Sequence, residues 1–267
     1  KNGMSYIDSM TYIIEERESC LVFKITRPHR LNAITTEVLN GLCDCIDTLE
    51  DQEGNRGLVI TGEGERAFCA GTDLFERETL SSRQQREKSD RARHLLVRLH
   101  RAPFISIAAL NGLAYGGGLE LALACVFRIA NEDVQCSLPE VKIGLIPAYA
   151  GTQLLPSIVG QSRALDMMLT GRAVSTEEAL QIGLINRVAA ADISLIDQAV
   201  EYLESITQYS KTAINAIRHS AAESGAQLSD YGLEIEKDWV ERVAQSEDAH
   251  EGVAAFRKKR KPIFKHR

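Results

Sequence analysis

Between Ala102 and Phe127 the only charged residue is Glu120, set in Leu119-Glu120-Leu121-Ala122-Leu123-Ala124 directly after Gly116-Gly117-Gly118. A carboxylate among apolar residues has two readings. It lies on the one exposed stripe of a mostly buried helix, or it is a functional acid whose pKa rises toward neutrality because burial disfavours its charge. The glycines add a second chemistry. Without β-carbons they let a ligand approach the backbone, and at a helix start their N–H groups are unpaired donors, an oxyanion site in outline. A glycine run alone also marks a tight turn or close helix packing. Neither GxxxxGK[ST] nor GxGxxG occurs, so a nucleotide phosphate cradle of either kind is not supported.

Two further segments offer related groups. Phe68-Cys69-Ala70-Gly71-Thr72-Asp73 is rich in small residues with free amides and alone reads as a turn. Cys69 has no histidine near it in sequence and small apolar neighbours, so it reads as a packed, unreactive thiol. Glu140 follows Pro139, which predicts an extended or turning segment there; taken alone it reads as a surface glutamate, paired with Lys142.

These residues need a scaffold, and the hydrophobic pattern supplies an α/β one. Strands are predicted at Tyr12 to Glu15, Leu21 to Thr26, Gly57 to Thr61, Phe104 to Leu110 and Leu184 to Val188. Val38, Leu39, Leu42, Ile46 and Leu49 repeat at helical spacing, and a charged helix runs from about Arg83 to His100. Ser175 is placed to cap a helix with Glu177 and Glu178 near its start. The Leu80 to Arg93 stretch suits an exposed helix or loop beside a site, and after Asp192 the pattern is almost wholly helical.

The chain has 267 residues, 44% hydrophobic, enough to bury a full core. A net charge of −6 and a pI near 5.6 give no general attraction to nucleic acid or anionic membrane, so a small-molecule substrate is expected. Six cysteines without paired CxxC spacing predict neither a disulfide framework nor a zinc site. No secretory signal or membrane span is predicted, which leads us to expect a cytoplasmic protein; Lys1 to Gly3, before Met4, read as the remnant of a tag.

Taken in order, the motifs resemble those of the crotonase superfamily, in particular its enoyl-CoA hydratase branch. The resemblance runs from Arg27-Pro28-His29-Arg30-Leu31-Asn32-Ala33 through Ala67-Phe68-Cys69-Ala70-Gly71-Thr72-Asp73, Asn111-Gly112, Gly116 to Glu120, Pro139-Glu140 and Gly144-Leu145-Ile146-Pro147. It ends with Glu251-Gly252 to Phe256, Lys259 and Arg260. It implies a spiral of ββα units over residues 4–195, the acyl-CoA-binding catalytic core, and a C-terminal helical oligomerisation region over 196–267, giving a homotrimer or a dimer of trimers. It also implies Glu120 and Glu140 as the catalytic pair, and the amides of Thr72 and Gly117 as the oxyanion hole. Arg30, Leu31, Ala67, Ala70, Asp73, Gly116 and Tyr149 are then expected at the substrate, with Phe256 and Lys259 reaching the coenzyme A of a neighbouring subunit. The thioester is the substrate, and no cofactor or metal is expected.

One segment departs from the family. Where hydratases usually read I-P-G-A-G-G-T-Q-R-L, this chain has Ile146-Pro147-Ala148-Tyr149-Ala150-Gly151-Thr152-Gln153-Leu154-Leu155. Tyr149 either narrows the acyl pocket or bonds a polar acyl group, or else packs outward; the first pair of outcomes predicts a short or functionalised acyl substrate. The basic run Arg257-Lys258-Lys259-Arg260-Lys261 reads as a solvated end, a nucleic-acid patch, which sits badly with an acidic chain, or, by the resemblance, a contact to coenzyme A phosphates.

Overall fold

The computed structural model describes residues 10–52, 54–223, 238, 240, 242–243 and 245–266; for Phe256 and Arg257 only the backbone is described. Strands β1 (Tyr12–Glu16) and β2 (Cys20–Ile25) form an antiparallel hairpin. Three successive stretches then each give one strand to a large sheet and a short one to a small sheet. These pairs are β3 (Gly57–Gly62) and β4 (Ala67–Cys69), β5 (Ser106–Leu110) and β6 (Leu113–Tyr115), and β7 (Phe127–Ala130) and β8 (Gln135–Ser137). Helices follow each pair: α2 (Leu74–Thr79) and α3 (Ser82–Arg101), then α4 (Gly117–Ala124), then α5 (Gly151–Val159) and α6 (Gln161–Thr170). The ββα repeat expected from the resemblance is therefore present.

With β9 (Val174–Ser175) and β10 (Arg187–Val188), the large sheet runs β1-β2-β3-β5-β7-β10 and the small one β4-β6-β8-β9. Pairing is parallel from β2 to β10, and each step between these strands crosses over through one or more helices. β3 is buried along its whole length and reads as an unbroken apolar run because both faces are covered. Leu58 and Ile60 face the main core, with Leu42 and Ile46 of α1 (Thr36–Asp51) and Leu96 and Leu99 of α3. Val59 and Ile107 face the other way, onto Ala199, Tyr202 and Leu203 of α8 (Leu195–Thr207).

Helix starts follow the sequence signals. Thr35 caps α1, Ser81 and Gln84 form a reciprocal capping box on α3, and Ser175 accepts the Glu178 N–H at the start of α7 (Thr176–Gln181). Of the segment expected as a loop or helix from Leu80 to Arg93, Leu80 ends α2, Ser81 caps α3 and the rest is the first part of α3. Leu184 to Val188 narrows to the two residues of β10, which follow the turn at Ile182 and Gly183. Beyond α8 lie α9 (Lys211–Glu223) and the helix Glu247–Arg257. Among the described residues no helix is long and apolar enough to cross a membrane. All six cysteines are free thiols, and burial pushes Cys69 up to about 12, in keeping with an inert packed group.

The loops around the small sheet are tied down by Asn32, fully buried and in the left-handed region at φ 55°. Its amide donates to the carbonyls of Glu63 (3.0 Å) and Ala67 (2.7 Å), and its oxygen accepts the Arg27 N–H (3.0 Å). Replacing it by alanine leaves buried backbone groups unpaired, so Asn32→Ala is expected to cost about 2–3 kcal/mol. Urea unfolding reads this as a lower midpoint at constant slope. An unchanged midpoint would show that the network contributes nothing net.

Candidate active site

The small sheet brings the motif segments together. β4, β6 and β8 are parallel neighbours, in register at Cys69 with Ala114 and at Tyr115 with Ser137, so their C-terminal ends lie side by side. The chain leaves β4 into Ala70-Gly71-Thr72, β6 into Gly116-Gly117 and β8 into Pro139-Glu140. Adjacent strands sit roughly 4.8 Å apart, which makes neighbours of residues far apart in sequence. Gly116 N–H donates to Ser137 O (2.9 Å), and a β-carbon on Gly71 would stand 3.1 Å from Gly117 N. These ends open on a cavity of about 750 Å³ lined by Thr72, Gly117, Glu120, Glu140 and Tyr149 among others.

Two donors point from these ends. Gly117 is the first residue of α4, and its N–H, like that of Thr72, has no acceptor among the described residues. Flanking bonds fix the Thr72 peptide: Ile34 N–H donates to Gly71 O (2.7 Å) and Asp73 N–H to Ile34 O (3.0 Å). Gly116 takes φ 53°, ψ −130°, a conformation only glycine adopts readily, and a β-carbon there would come within 2.9 Å of Glu140 Oε1.

Glu120 is 2% exposed, so it does not lie on an exposed helix stripe: it faces inward. One oxygen accepts two backbone N–H groups, from Tyr149 and Gly151, each at 2.7 Å. Desolvation dominates those bonds and the nearby Glu140 charge adds to it, raising the carboxyl to about 7. Gly151 must be glycine for this contact, since a β-carbon would lie 2.8 Å from Glu120 Oε1. Glu140 opens a short 3₁₀ turn (Glu140–Ile143), is likewise raised by burial, and keeps Oε2 buried without a hydrogen-bond partner among the described residues. The pairing with Lys142 suggested by sequence is not among the ion pairs of the described residues.

Tyr149 packs inward, not outward. It is 4% exposed, its ring covers Gly117, and its hydroxyl shares a hydrogen bond with Thr72 Oγ1. Burial raises the phenol to about 12, so it remains a neutral donor and acceptor.

Of the other residues singled out, Ala70 and Gly116 line the cavity. Leu31 adjoins it, accepting the Ala70 N–H (3.0 Å), and Arg30 is exposed, stacked over Phe75 at 4.0 Å. Ala67 and Asp73 are not among the cavity-lining residues, and both have scaffold partners. The Ala67 carbonyl is taken by the amides of Asn32 and Asn111 (2.7 and 2.9 Å). Asp73 caps α2 through the N–H groups of Phe75 and Glu76 and pairs with Arg27 (2.7 Å). Burial works against its charge, but these partners outweigh it and hold the carboxyl below its usual range. Lys259 is exposed on the turn after the last helix, and the Phe256 side chain lies outside the described residues. Sequence reading missed Arg77, Gln85 and Lys88, which also line the cavity; the available signal was spacing, since Arg77 follows the Asp73 cap by one helical turn.

Comparison with known proteins agrees with this geometry. A family model described as enoyl-CoA hydratase/isomerase matches residues 15–267. A crotonyl-CoA hydratase of Syntrophomonas wolfei is 33% identical over 253 residues, 94% of this chain and 96% of that protein. An enoyl-CoA isomerase/hydratase of Mycosarcoma maydis is 36% identical over 250 residues, 90% of each. The 1.8 Å crystal structure of an enoyl-CoA hydratase from Bacillus anthracis aligns with a TM-score of 0.90 at 32% identity, covering 96% of this chain and 100% of that one. With the match spanning the ordered motifs, both sheets and the helices after them, the chain belongs to the enoyl-CoA hydratase/isomerase family.

Proposed function

We propose that this chain is an enoyl-CoA hydratase, adding water reversibly across a 2-enoyl-CoA thioester to give the 3-hydroxyacyl-CoA. The observation that carries this reading is one cavity holding two carboxyl groups of raised pKa and two unpaired backbone donors. Attack of water at Cβ drives charge onto the thioester oxygen, where the N–H groups of Thr72 and Gly117 receive it. Donors of this kind are each worth on the order of 10²–10³ in rate. Glu120, ionised, orients the water and takes its proton; Glu140, protonated, delivers a proton to Cα. The net change is redox-neutral, so no redox cofactor is called for. Shifting a double bond, the related isomerase chemistry, moves a proton along the acyl chain and needs no bound water. The second, water-side carboxyl at Glu120 is what favours hydration.

The same reading gives the C-terminal helical region the subunit contacts of a trimer or of a dimer of trimers. It brings Phe256 and Lys259 to a neighbour's coenzyme A. Light scattering tests the assembly, which requires a mass of three or six chains.

With crotonyl-CoA as substrate, loss of the enoyl thioester absorbance measures turnover. Glu120→Gln and Glu140→Gln are each expected to lower kcat by roughly 10²–10⁴. Rates close to native in either variant would remove that residue from the mechanism.

The working form has Glu120 ionised and Glu140 protonated, so kcat/KM is expected to be bell-shaped. Its two limbs are set by the raised carboxyls, Glu120 near 7 and Glu140 lifted above its ordinary range by burial. Because the two charges interact, the limbs belong to the pair. A profile flat from pH 5 to pH 9 would refute the assignment.

Stability carries the opposite sign. The folded chain holds the Glu120 proton up to about 7, above the ordinary 4.5. That contribution is therefore complete below the unfolded pKa and lost as pH rises through 7. Glu120→Gln cannot ionise and is expected to exceed the native protein in stability at pH 8 by on the order of 2 kcal/mol, with the difference shrinking at pH 5. Thermal melts at both values test this, and a variant less stable than native at pH 8 would overturn it.

A further inference from the structure

Apart from Glu120 and Glu140, every charged side chain lining the cavity is a cation: Arg77, Arg86, Lys88 and Lys142. Three of them have ordinary explanations. Lys88 is neutralised by Glu76, and Arg86 and Lys142 are exposed. Arg77 differs. It is half-buried, and its Nε donates to Gln85 Oε1 (3.2 Å), while Gln85 is itself pinned by donating Nε2 to the carbonyls of Arg77 and Leu80, both at 3.0 Å. The two terminal nitrogens have no partner, and no carboxylate pairs with this guanidinium, among the described residues. A partly desolvated, pre-oriented fork with nothing in it matches a carboxylate, which binds such a fork through two parallel hydrogen bonds.

Its place on α2 says which part of the ligand it meets. The chain runs from Ala70 through the Thr72 amide into α2, so the helix leads away from the point where the thioester oxygen is held. Phe75 and Arg77 lie roughly 200° apart around that helix. Phe75 is on the side of Arg30, where the resemblance puts coenzyme A, and Arg77 is on the side of the cavity. We propose that Arg77 selects for acidic acyl groups, pairing with a carboxylate at the far end of a short enoyl chain. This rests on the hydratase reading for the reaction but concerns the ligand alone, so binding separates the two.

Calorimetric titration with glutaryl-CoA and valeryl-CoA tests it. Both are five-carbon saturated thioesters that cannot be hydrated, and only the first has a terminal carboxylate. The native protein is expected to bind glutaryl-CoA about tenfold more tightly or better. Arg77→Met brings the ratio of the two affinities to about one, and Arg77→Lys, which keeps the charge without the fork, leaves it in between. Equal affinities in the native protein would overturn the proposal. So would an Arg77→Met variant that loses affinity for both ligands by the same factor, because a contact to a coenzyme A phosphate or a purely structural role predicts that result. If Arg77→Met does not fold, the native ratio and that of Arg77→Lys decide. If the preference stands while glutaconyl-CoA and 2-pentenoyl-CoA both go unhydrated, the hydratase reading fails and the role of Arg77 survives.

Discussion

Three strands of three residues each, β4, β6 and β8, set the geometry on which the rest depends. Parallel pairing forces their ends to the same edge, and each end carries one component of the site: the Thr72 amide, the Gly117 amide with Glu120 one turn later, and Glu140. Strands so short bury little surface of their own. Their positions are imposed by the larger sheet, because β3, β5 and β7 immediately precede them in the chain, are paired in parallel and are packed on both faces. Stability and function are thus assigned to different sheets. The large one supplies the apolar burial, which leaves the small one free to end in glycines and in backbone donors without partners.

The electrostatics of the site follow from where α4 starts. An amide at a helix start has no acceptor of its own, and a carboxyl three residues further on is carried into the interior with it. Burial of Glu120 works against folding at neutral pH, and a carboxyl raised to about 7 can both take and give a proton there. Two N–H groups from Tyr149 and Gly151 moderate the cost without abolishing it. A stronger cradle would return Glu120 to an ordinary acid, and none at all would hold it protonated and useless as a base.

Much of this was legible in the sequence, and for physical reasons. A lone carboxylate in a long apolar run is costly enough to signal its importance, and the hydrophobic periods located β2, β3, α1 and α3 to within a residue or two. Glu140 was different: nothing local separates it from a surface glutamate, and only its motif resemblance marked it, because its burial arises from tertiary neighbours. Ala67 and Asp73 were expected at the ligand, yet one gives its carbonyl to two asparagine side chains and the other its carboxylate to a helix cap and Arg27. A motif marks residues that must be kept without saying whether they touch a ligand or hold the residues that do. Arg77 escaped notice because one arginine in a helix of charged residues looks solvated until Gln85 is seen to hold it.

The Pro147 to Gly151 loop shows how a departure from a family pattern can be absorbed. Ala150 stands where glycine is usual and adopts φ 86°, ψ 9°, a left-handed conformation that costs an L-residue roughly 1–2 kcal/mol. The loop nonetheless keeps that shape because its two neighbouring N–H groups both meet Glu120, and relaxing Ala150 would turn at least one of them away from a buried carboxylate. An unpaired buried charge is more expensive than one strained residue. The same turn delivers the Tyr149 side chain onto Gly117 and its hydroxyl to Thr72, the two residues whose N–H groups lack an acceptor among the described residues. The tyrosine therefore braces the donor pair from above and occupies space beside it. The rest of the cavity opens toward α2 and α3, whose Arg77, Gln85 and Lys88 line it.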